Sequence, residues 1–208
     1  TTRGPLNLCV TALGELPAGS ALRRDRAKAG DDLWVSGQPG LAALGLAQLL
    51  GKTTLPDTLA QRCILALQKP QPRVELGLAL RQDGLAHAAI DVSDGLLADL
   101  KHIAERSQLA AEIFSTQLPY LPTGADPVLA RHCQIAGGDD YELAFAASPE
   151  KRTALAALAA RLDLPLWRIG HLRLATAGSE GQIALLDENG QSIPLTDIGF
   201  DHFAQNTQ

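Results

Sequence analysis

Two aspartates that flank a serine follow an apolar stretch of this sequence. The stretch covers residues 86–90 and leads into Asp91, Ser93 and Asp94, and a glycine then precedes an amphipathic segment. Carboxylates this close repel one another unless a cation lies between them, and with Mg²⁺ they become oxygen ligands that hold the phosphates of a nucleotide. Where a strand ends and a helix begins, backbone N–H groups and the positive end of the helix dipole face a ligand. The pattern therefore predicts a phosphoryl-transfer site.

The same residues also have a purely structural interpretation. An aspartate before a glycine, as at Asp94, is a common helix start that combines an Asx turn with an N-cap. Asp91 favours the functional interpretation, because a carboxylate at the end of a buried strand has no local role. Ser93 has two open roles, since it either caps the helix or donates to a nucleotide phosphate.

A second acidic segment follows two glycines. Asp139 and Asp140 come directly after Gly137 and Gly138, which allow a ligand to approach the backbone closely. An ordinary loop is the alternative interpretation. We expect Glu142, one step into the next strand, to face solvent.

Two further residues are candidates for contact with a nucleotide or a second substrate. Arg24 lies in a segment rich in both charges, and it either remains in solvent or reaches a phosphate. Phe200, near the C-terminus, has a ring that can stack on a flat heterocycle.

Residues 51–53, Gly-Lys-Thr, suggest a Walker A loop. That interpretation is rejected, because Leu46 stands where the first glycine of such a loop belongs.

The composition excludes several classes of partner. The net charge is −5, and there is no run of basic residues, so we expect no nucleic-acid partner. No apolar stretch reaches the roughly 20 residues that span a bilayer, so we expect no membrane partner. The 3 cysteines are widely spaced, without the spacing of a metal site, and indicate reduced thiols in a cytoplasmic protein.

Periodicity and turn residues predict helices mixed with short strands. The strands are expected at 6–13, 33–37, 86–90, 110–114, 141–146, 166–169, 182–186 and 191–195, and the helices at 41–50, 57–67, 73–82, from 95 onward, 126–133 and 148–162. In the helix from residue 95, Asp99 is expected on the polar side. Asn189 and Gly190 predict a two-residue hairpin at the end of the chain. This mixture favours an α+β fold over a doubly wound parallel sheet.

Together these motifs resemble those of thiamine-monophosphate kinases, which belong to the superfamily of aminoimidazole ribonucleotide synthetase and selenophosphate synthetase. The resemblance runs along the whole chain in one order. It rests on residues 1–6, 24–31, 70–73, 89–96, 137–143 and 199–203.

The resemblance implies an α+β fold, namely the C-terminal domain of the aminoimidazole ribonucleotide synthetase-like fold, with a mixed sheet and packed helices. It implies ATP-dependent phosphorylation of thiamine monophosphate to thiamine diphosphate by direct transfer, without a phosphoenzyme or a catalytic side-chain nucleophile. The implied roles are Mg²⁺ ligands for Asp91 and Asp94, ATP contacts for Ser93 and Arg24, and thiamine contacts for Asp139 and Phe200. Asp139 stands where the family usually has glutamate, so its reach is one methylene shorter.

We also expect this chain to be a piece of a longer protein. It contains no methionine and opens in the middle of a motif. Residues 1–16 would be the final strand of an N-terminal ATP-binding domain, and residues 17–208 the C-terminal domain. Because the family's N-terminal half carries further metal ligands and the main dimer interface, we expect a homodimer for the whole enzyme and no activity for this piece. Another kinase or synthetase of the superfamily, or a non-catalytic binding domain, is the alternative.

Overall fold

The computed structural model describes residues 9–195 and residue 199. Its strands are β1 Asp32–Ser36, β2 Ala88–Val92, β3 Leu109–Phe114, β4 Glu142–Ala147, β5 Leu166–Leu174, β6 Ile183–Leu186 and β7 Ser192–Ile193. Its helices are α1 Leu41–Leu49, α2 Asp57–Gln68, α3 Val74–Gln82, α4 Leu96–Arg106, α5 Pro127–Ala136 and α6 Arg152–Leu162, with short 3₁₀ turns at Ser115–Gln117 and Pro149–Lys151.

The described strands form one sheet in the order β2-β4-β1-β5-β3-β6-β7. Its neighbours pair antiparallel except for β3 and β6, which pair parallel. The predicted α+β class with a mixed sheet and packed helices is therefore confirmed.

Helices cover both faces of the sheet. One core joins the apolar side of α4, including Leu96, Leu100 and Ile103, to residues such as Ile90 and Ile113 of the sheet. A second core, on the other face, joins α3 and α6 to side chains that include the stacked rings of Trp34 and Phe145. Helices α1, α2 and α5 share a third apolar cluster. These layers hold in place the strand ends at which the acidic motifs lie.

Several strands begin or end on this side of the sheet, which we call the acidic edge. Strands β1 and β2 both pair antiparallel with β4, so they run in the same direction and end at the same edge. Val92 at the end of β2 is the register partner of Glu142 at the start of β4, and Ser36 at the end of β1 is the partner of Leu166 at the start of β5. The segments around the two acidic motifs therefore leave the sheet side by side.

Three details differ from the sequence-based expectations. The described part of the predicted strand at 6–13 has no regular structure, and Val10 and Leu13 are 92% and 96% exposed, because no described strand lies beside it to form a ladder. Strand β2 lies two residues later than predicted, so Asp91 belongs to it. The hairpin is confirmed, but its loop is longer: Asp187 N–H donates to the Gln191 carbonyl, and Gly190 has a φ of 74°.

Candidate functional site

The turn between β2 and α4 is organised around one buried carboxylate. The backbone N–H groups of Ser93, Asp94 and Gly95 donate to Oδ2 of Asp99 at 2.9, 3.1 and 3.3 Å. Asp99 is only 2% exposed, and burial raises its pKa although the three backbone hydrogen bonds oppose that change. The expectation that Asp99 lies on the polar side of the helix is therefore wrong, because the N–H groups at the start of a helix need an acceptor.

This arrangement changes the roles predicted for the turn. Gly95 is the N-cap residue of α4, and Asp99 supplies the acceptor, so Ser93 does not cap the helix. The N–H groups of residues 93–95 face Asp99, so the prediction that they face a ligand is wrong. Within the described chain the Ser93 hydroxyl makes no hydrogen bond, which leaves it available to a ligand.

The second acidic segment lies directly against this turn. Asp139 N–H donates to the Ser93 carbonyl at 2.9 Å, and Tyr141 N–H donates to the Val92 carbonyl at 2.8 Å. A Cβ atom on Gly138 would lie 2.3 Å from the Ser93 carbonyl oxygen, so glycine is required there. The close approach allowed by this glycine is thus to the protein's own backbone.

Asp140 holds helix α1 in place. Its carboxylate accepts hydrogen bonds from Gly40 N–H at 2.6 Å and Ala42 N–H at 3.2 Å, at the start of α1. Burial raises the pKa of Asp140 to about 7, the neighbouring charges of Glu142 and Asp139 add to the increase, and the two backbone bonds oppose it. Asp140 therefore has a structural role in this fold.

Glu142 is 6% exposed and forms a buried ion pair. Its two carboxylate oxygens accept from Nη2 and Nε of Arg73 at 2.6 and 2.7 Å, and Oε2 also accepts from Ser36 Oγ at 2.5 Å. This contact raises the pKa of Arg73. The expectation that Glu142 faces solvent is wrong, because the chain places Arg73 at the start of α3 opposite it. The pair joins β1, α3 and β4 at the acidic edge.

Asp139, in contrast, is exposed and has an uncommon backbone conformation. Its φ is 66° and that of Tyr141 is 51°, both in the left-handed region that few residues other than glycine occupy. Such strain persists only where the surroundings hold the backbone in place, and it is concentrated at functional sites. Here the buried side chains of Asp140 and Glu142 hold the segment, so the backbone that carries the exposed Asp139 carboxylate is held in place.

Arg24 and Asp91 line one groove along the outer side of β2, which is the last strand of the described sheet. The groove has a volume of about 510 Å³, and its lining also includes Arg23, Asp25 and Arg106. Arg23 pairs with Asp25, whereas the guanidinium of Arg24 has no partner in the described part of the chain. The structure therefore places a predicted phosphate-binding arginine and a predicted metal ligand in the same groove.

The remaining predicted site residue, Phe200, lies outside the described residues. Gly199, just before it, lies against the turn after β2: a Cβ atom there would be 2.5 Å from the Ala98 Cβ and 2.7 Å from the Asp94 carbonyl oxygen.

The described residues contain no group of three or more histidine, cysteine, aspartate or glutamate side chains suited to a metal ion. Two carboxylates such as Asp91 and Asp94 nonetheless suit Mg²⁺, which proteins commonly bind with one or two carboxylates plus substrate phosphates.

The sequence contained one usable signal for Asp99, the residue most clearly missed. Position 99 is three residues after Leu96 and four before Ile103, so helical spacing places it on the apolar side of α4. No comparable signal predicts the pair between Glu142 and Arg73, which are 69 residues apart.

Among the described helices, none has the length and apolar character needed to cross a membrane.

The protein is an α+β protein with helices on both faces of a mixed sheet and acidic residues at the ends of its strands. The family described as AIR synthase related protein, C-terminal domain, matches residues 28–179, and the chain belongs to that family. Within it, the chain is 39% identical over 208 residues to the thiamine-monophosphate kinase of Escherichia coli (strain K12). That match covers 98% of this chain and 62% of the relative, so the chain spans less than two thirds of the relative's length.

Two solved structures carry the same likeness. The crystal structure of thiamine-monophosphate kinase from Stenotrophomonas maltophilia K279a has a TM-score of 0.74 and 43% sequence identity, covering 86% of this chain and 56% of that one. A structure described as AaThiL complexed with AMPPCP and TMP has a TM-score of 0.67 and 27% identity, covering 88% and 54%. The family resemblance seen in the sequence motifs is thus confirmed by sequence and by fold.

Proposed function

We propose that this chain is the C-terminal part of an enzyme that transfers the γ-phosphoryl group of ATP to thiamine monophosphate. The observation that carries the proposal is the groove that brings Arg24 beside Asp91, next to the turn that carries Ser93 and Asp94. The relatives support the choice of substrates, because the chain matches thiamine-monophosphate kinases along nearly its full length and a related structure is described as complexed with AMPPCP and TMP.

In the proposed reaction, no side chain acts as a nucleophile. A phosphate oxygen of thiamine monophosphate forms the new bond to the γ-phosphorus of ATP, the bond to the β-phosphate oxygen breaks, and ADP leaves. Such a transfer depends on the positioning of the two substrates and on neutralisation of their charge. The substrates are both anionic and repel one another at contact distance, so cationic groups must lie between or around them.

Each predicted residue has a role in that positioning. Asp91 and Asp94 would hold Mg²⁺, which when bound neutralises phosphate charge and links the phosphates to the protein. The guanidinium of Arg24 and the hydroxyl of Ser93 would bind the phosphates through side chains, since the backbone N–H groups of the turn already bind Asp99.

The acceptor substrate would lie on the other side of the same turn. Asp139 is exposed on a backbone held beside Ser93, where its carboxylate would bind the thiamine portion. Gly199 lies next to Asp94, and Phe200, which follows it in the sequence, would stack its ring on the heterocycle.

The proposal includes the organisation of the whole enzyme. Residues 1–16 would complete an N-terminal ATP-binding domain, residues 17–208 would form the C-terminal domain, and the full-length enzyme would be a cytoplasmic homodimer. The three cysteines, all described, are free thiols, which agrees with a reducing compartment. The exposed, irregular segment 9–17 agrees with a segment that needs a further domain for its pairing.

Thiamine diphosphate formation, measured by chromatography with ATP and Mg²⁺, tests the proposal. The full-length enzyme is expected to be active, its Asp91→Asn variant to lose at least about 100-fold in kcat, and the 208-residue chain alone to be inactive. The exposed Asp57→Asn change, at the start of α2, is the matched control and should leave the rate unchanged.

Three results would contradict this assignment in different ways. Phosphate release without thiamine diphosphate would favour another kinase or synthetase of the superfamily. Ligand binding that survives Asp91→Asn, in a full-length protein with no turnover, would favour a binding domain. Turnover by the chain alone would overturn the proposed division into domains.

A further inference from the structure

A second cavity lies at the sheet edge where β1 ends and β5 begins. Its volume is about 430 Å³, which is in the range of small-molecule sites, and it shares no lining residue with the groove of Arg24 and Asp91. We call it the aromatic cleft, because Tyr120 and Trp167 form part of its wall. Neither residue has a role in the proposed phosphoryl transfer.

Hydrogen bonds hold the Trp167 ring and the Tyr120 backbone in the aromatic cleft. Trp167 Nε1 donates to the Gly37 carbonyl at 2.9 Å, which fixes the plane of the indole. The Tyr120 carbonyl accepts from Gln38 Nε2 at 2.9 Å, which fixes the backbone under the phenol ring. The ring centroids lie 5.6 Å apart at an interplanar angle of 90°. A ligand ring would therefore meet an indole that loses little conformational freedom on binding.

The Tyr120 ring is 81% exposed, so most of its apolar surface remains for a ligand to cover. The rest of the apolar lining comes from Leu41, Ala66, Leu164 and three prolines, which continue the surface on which a flat ring can lie. Edge-to-face and offset-stacked contacts are the arrangements that aromatic rings prefer. The shape of the aromatic cleft thus selects a planar aromatic or heteroaromatic compound.

Two cationic side chains of the aromatic cleft can meet an anionic substituent. Its two buried carboxylates already have partners, since Asp140 accepts from α1 and Glu142 pairs with Arg73. Of the other charged groups, Arg62 bonds only to the neutral Gln38, and Lys69 makes no ion pair within the described chain. Asp163 is the third carboxylate of the lining, so its three acidic and three basic side chains balance in number, but Arg62 and Lys69 have no carboxylate partner within the described chain and can meet an anion.

We propose that the aromatic cleft binds a planar aromatic acid, with its ring against Tyr120 and Trp167 and its anionic group near Lys69 and Arg62. The proposal does not depend on the kinase assignment, because none of the residues assigned to ATP, Mg²⁺ or thiamine lines this cavity. Failure of one proposal therefore leaves the other intact.

Two probes with the same ring and opposite charge test the proposal. Indole-3-acetate carries an anionic side chain and tryptamine a cationic one, and each is titrated into the 208-residue chain by isothermal calorimetry or ligand-observed NMR. Indole-3-acetate is expected to bind with a Kd of about 1 mM, ordinary for a ligand of this size, and tryptamine at least about fivefold more weakly.

Three variants connect that binding to the aromatic cleft. Tyr120→Ala should weaken both probes about tenfold, and its fold should be retained because the ring is exposed and the hydrogen bond uses the backbone carbonyl. Lys69→Gln should remove the preference for the anion while tryptamine binding is retained. Lys101→Gln, an exposed lysine on α4, is the charge-matched control and should bind like the parent.

Trp167→Leu gives a second measure of the ring contact, with its fold checked by thermal unfolding. The proposal is overturned if neither probe binds at concentrations up to about 10 mM. It is equally overturned if tryptamine binds as tightly as indole-3-acetate, or if the Tyr120 and Trp167 variants bind like the parent.

Discussion

The turn after β2 and the segment before β4 both combine acidic residues with glycine, but they use their carboxylates differently. At the end of β2, the exposed Asp91 is left without a partner in the described chain, and Asp99, from the following helix, accepts the N–H groups of the turn. Before β4, two of the three carboxylates are buried and hold the structure, and Asp139 alone is exposed.

The difference between the two segments shows that acidic residues in a motif divide into two kinds. Buried carboxylates such as Asp99 and Asp140 accept backbone N–H groups and fix the geometry, whereas exposed ones such as Asp91 and Asp139 remain for ligands. The second segment also has left-handed φ values at two residues other than glycine, which the first lacks. A segment with more structural carboxylates can therefore hold more backbone strain.

The strongest contrast is expected for Glu142→Ala against Asp91→Ala. Loss of Glu142 leaves the half-buried Arg73 without its partner, so the free energy of unfolding should fall by about 3–5 kcal/mol. Asp91→Ala removes an exposed side chain and should change stability by less than about 0.5 kcal/mol. Urea unfolding of both variants measures the difference, and equal losses would show that the two segments do not divide in this way.

Asp99→Ala should have the next largest effect. It removes the acceptor of three backbone N–H groups in a buried turn, which should cost about 2–3 kcal/mol of stability. Asp99→Asn keeps one acceptor oxygen in nearly the same position and should cost less. If the urea midpoints of unfolding of both variants equal that of the parent, contacts other than the Asp99 carboxylate hold the turn.

Asp140→Asn should change how stability depends on pH. The native pKa of Asp140, about 7, lies above its ordinary value of 3.8, so the native state binds this proton more tightly than the unfolded state. The stabilisation from that proton is fully present below about pH 3.8 and is lost as the pH rises through about 7. The advantage of the parent over Asp140→Asn in free energy of unfolding should therefore decrease between pH 4 and 7, and a constant difference would contradict the assignment.

The smallest effect is expected for Asp139→Glu, which keeps the carboxylate and lengthens the side chain by one methylene. Aspartate tolerates the left-handed φ of 66° better than glutamate, so stability should fall by about 0.5 kcal/mol. Asp139→Asn, which also tolerates this conformation, should leave stability nearly unchanged. In the full-length enzyme, the glutamate variant should alter KM for thiamine monophosphate severalfold with little change in kcat. A change in kcat alone would contradict the proposed role of Asp139 in binding the thiamine portion.

Much of the fold was predictable, because its helices and strands have clear periodicity. The apolar spacing of Leu96, Leu100 and Ile103 predicted α4, and the sequence Asn189-Gly190 predicted the final hairpin. The strand order was not predictable, since it depends on pairings between residues far apart in the chain. The same limit applies to the site: the motifs predicted which segments carry acids, but not that Asp140 meets Gly40, 100 residues earlier.

The segment that carries Arg24 is attached to the rest of the molecule at few points. At the sheet edge, the Arg23 carbonyl accepts from Ala89 N–H at 3.3 Å, in a single bridge between Arg23 and Ala88. At the end of α4, Ser107 Oγ donates to the Arg24 carbonyl at 3.1 Å and accepts from Ala27 N–H at 3.2 Å. Widening the space between Arg24 and Asp91 would therefore break these hydrogen bonds, each worth about 1 kcal/mol, and disturb the packing of Leu22 and Ala27 against the cores, while every ladder of the sheet stays intact.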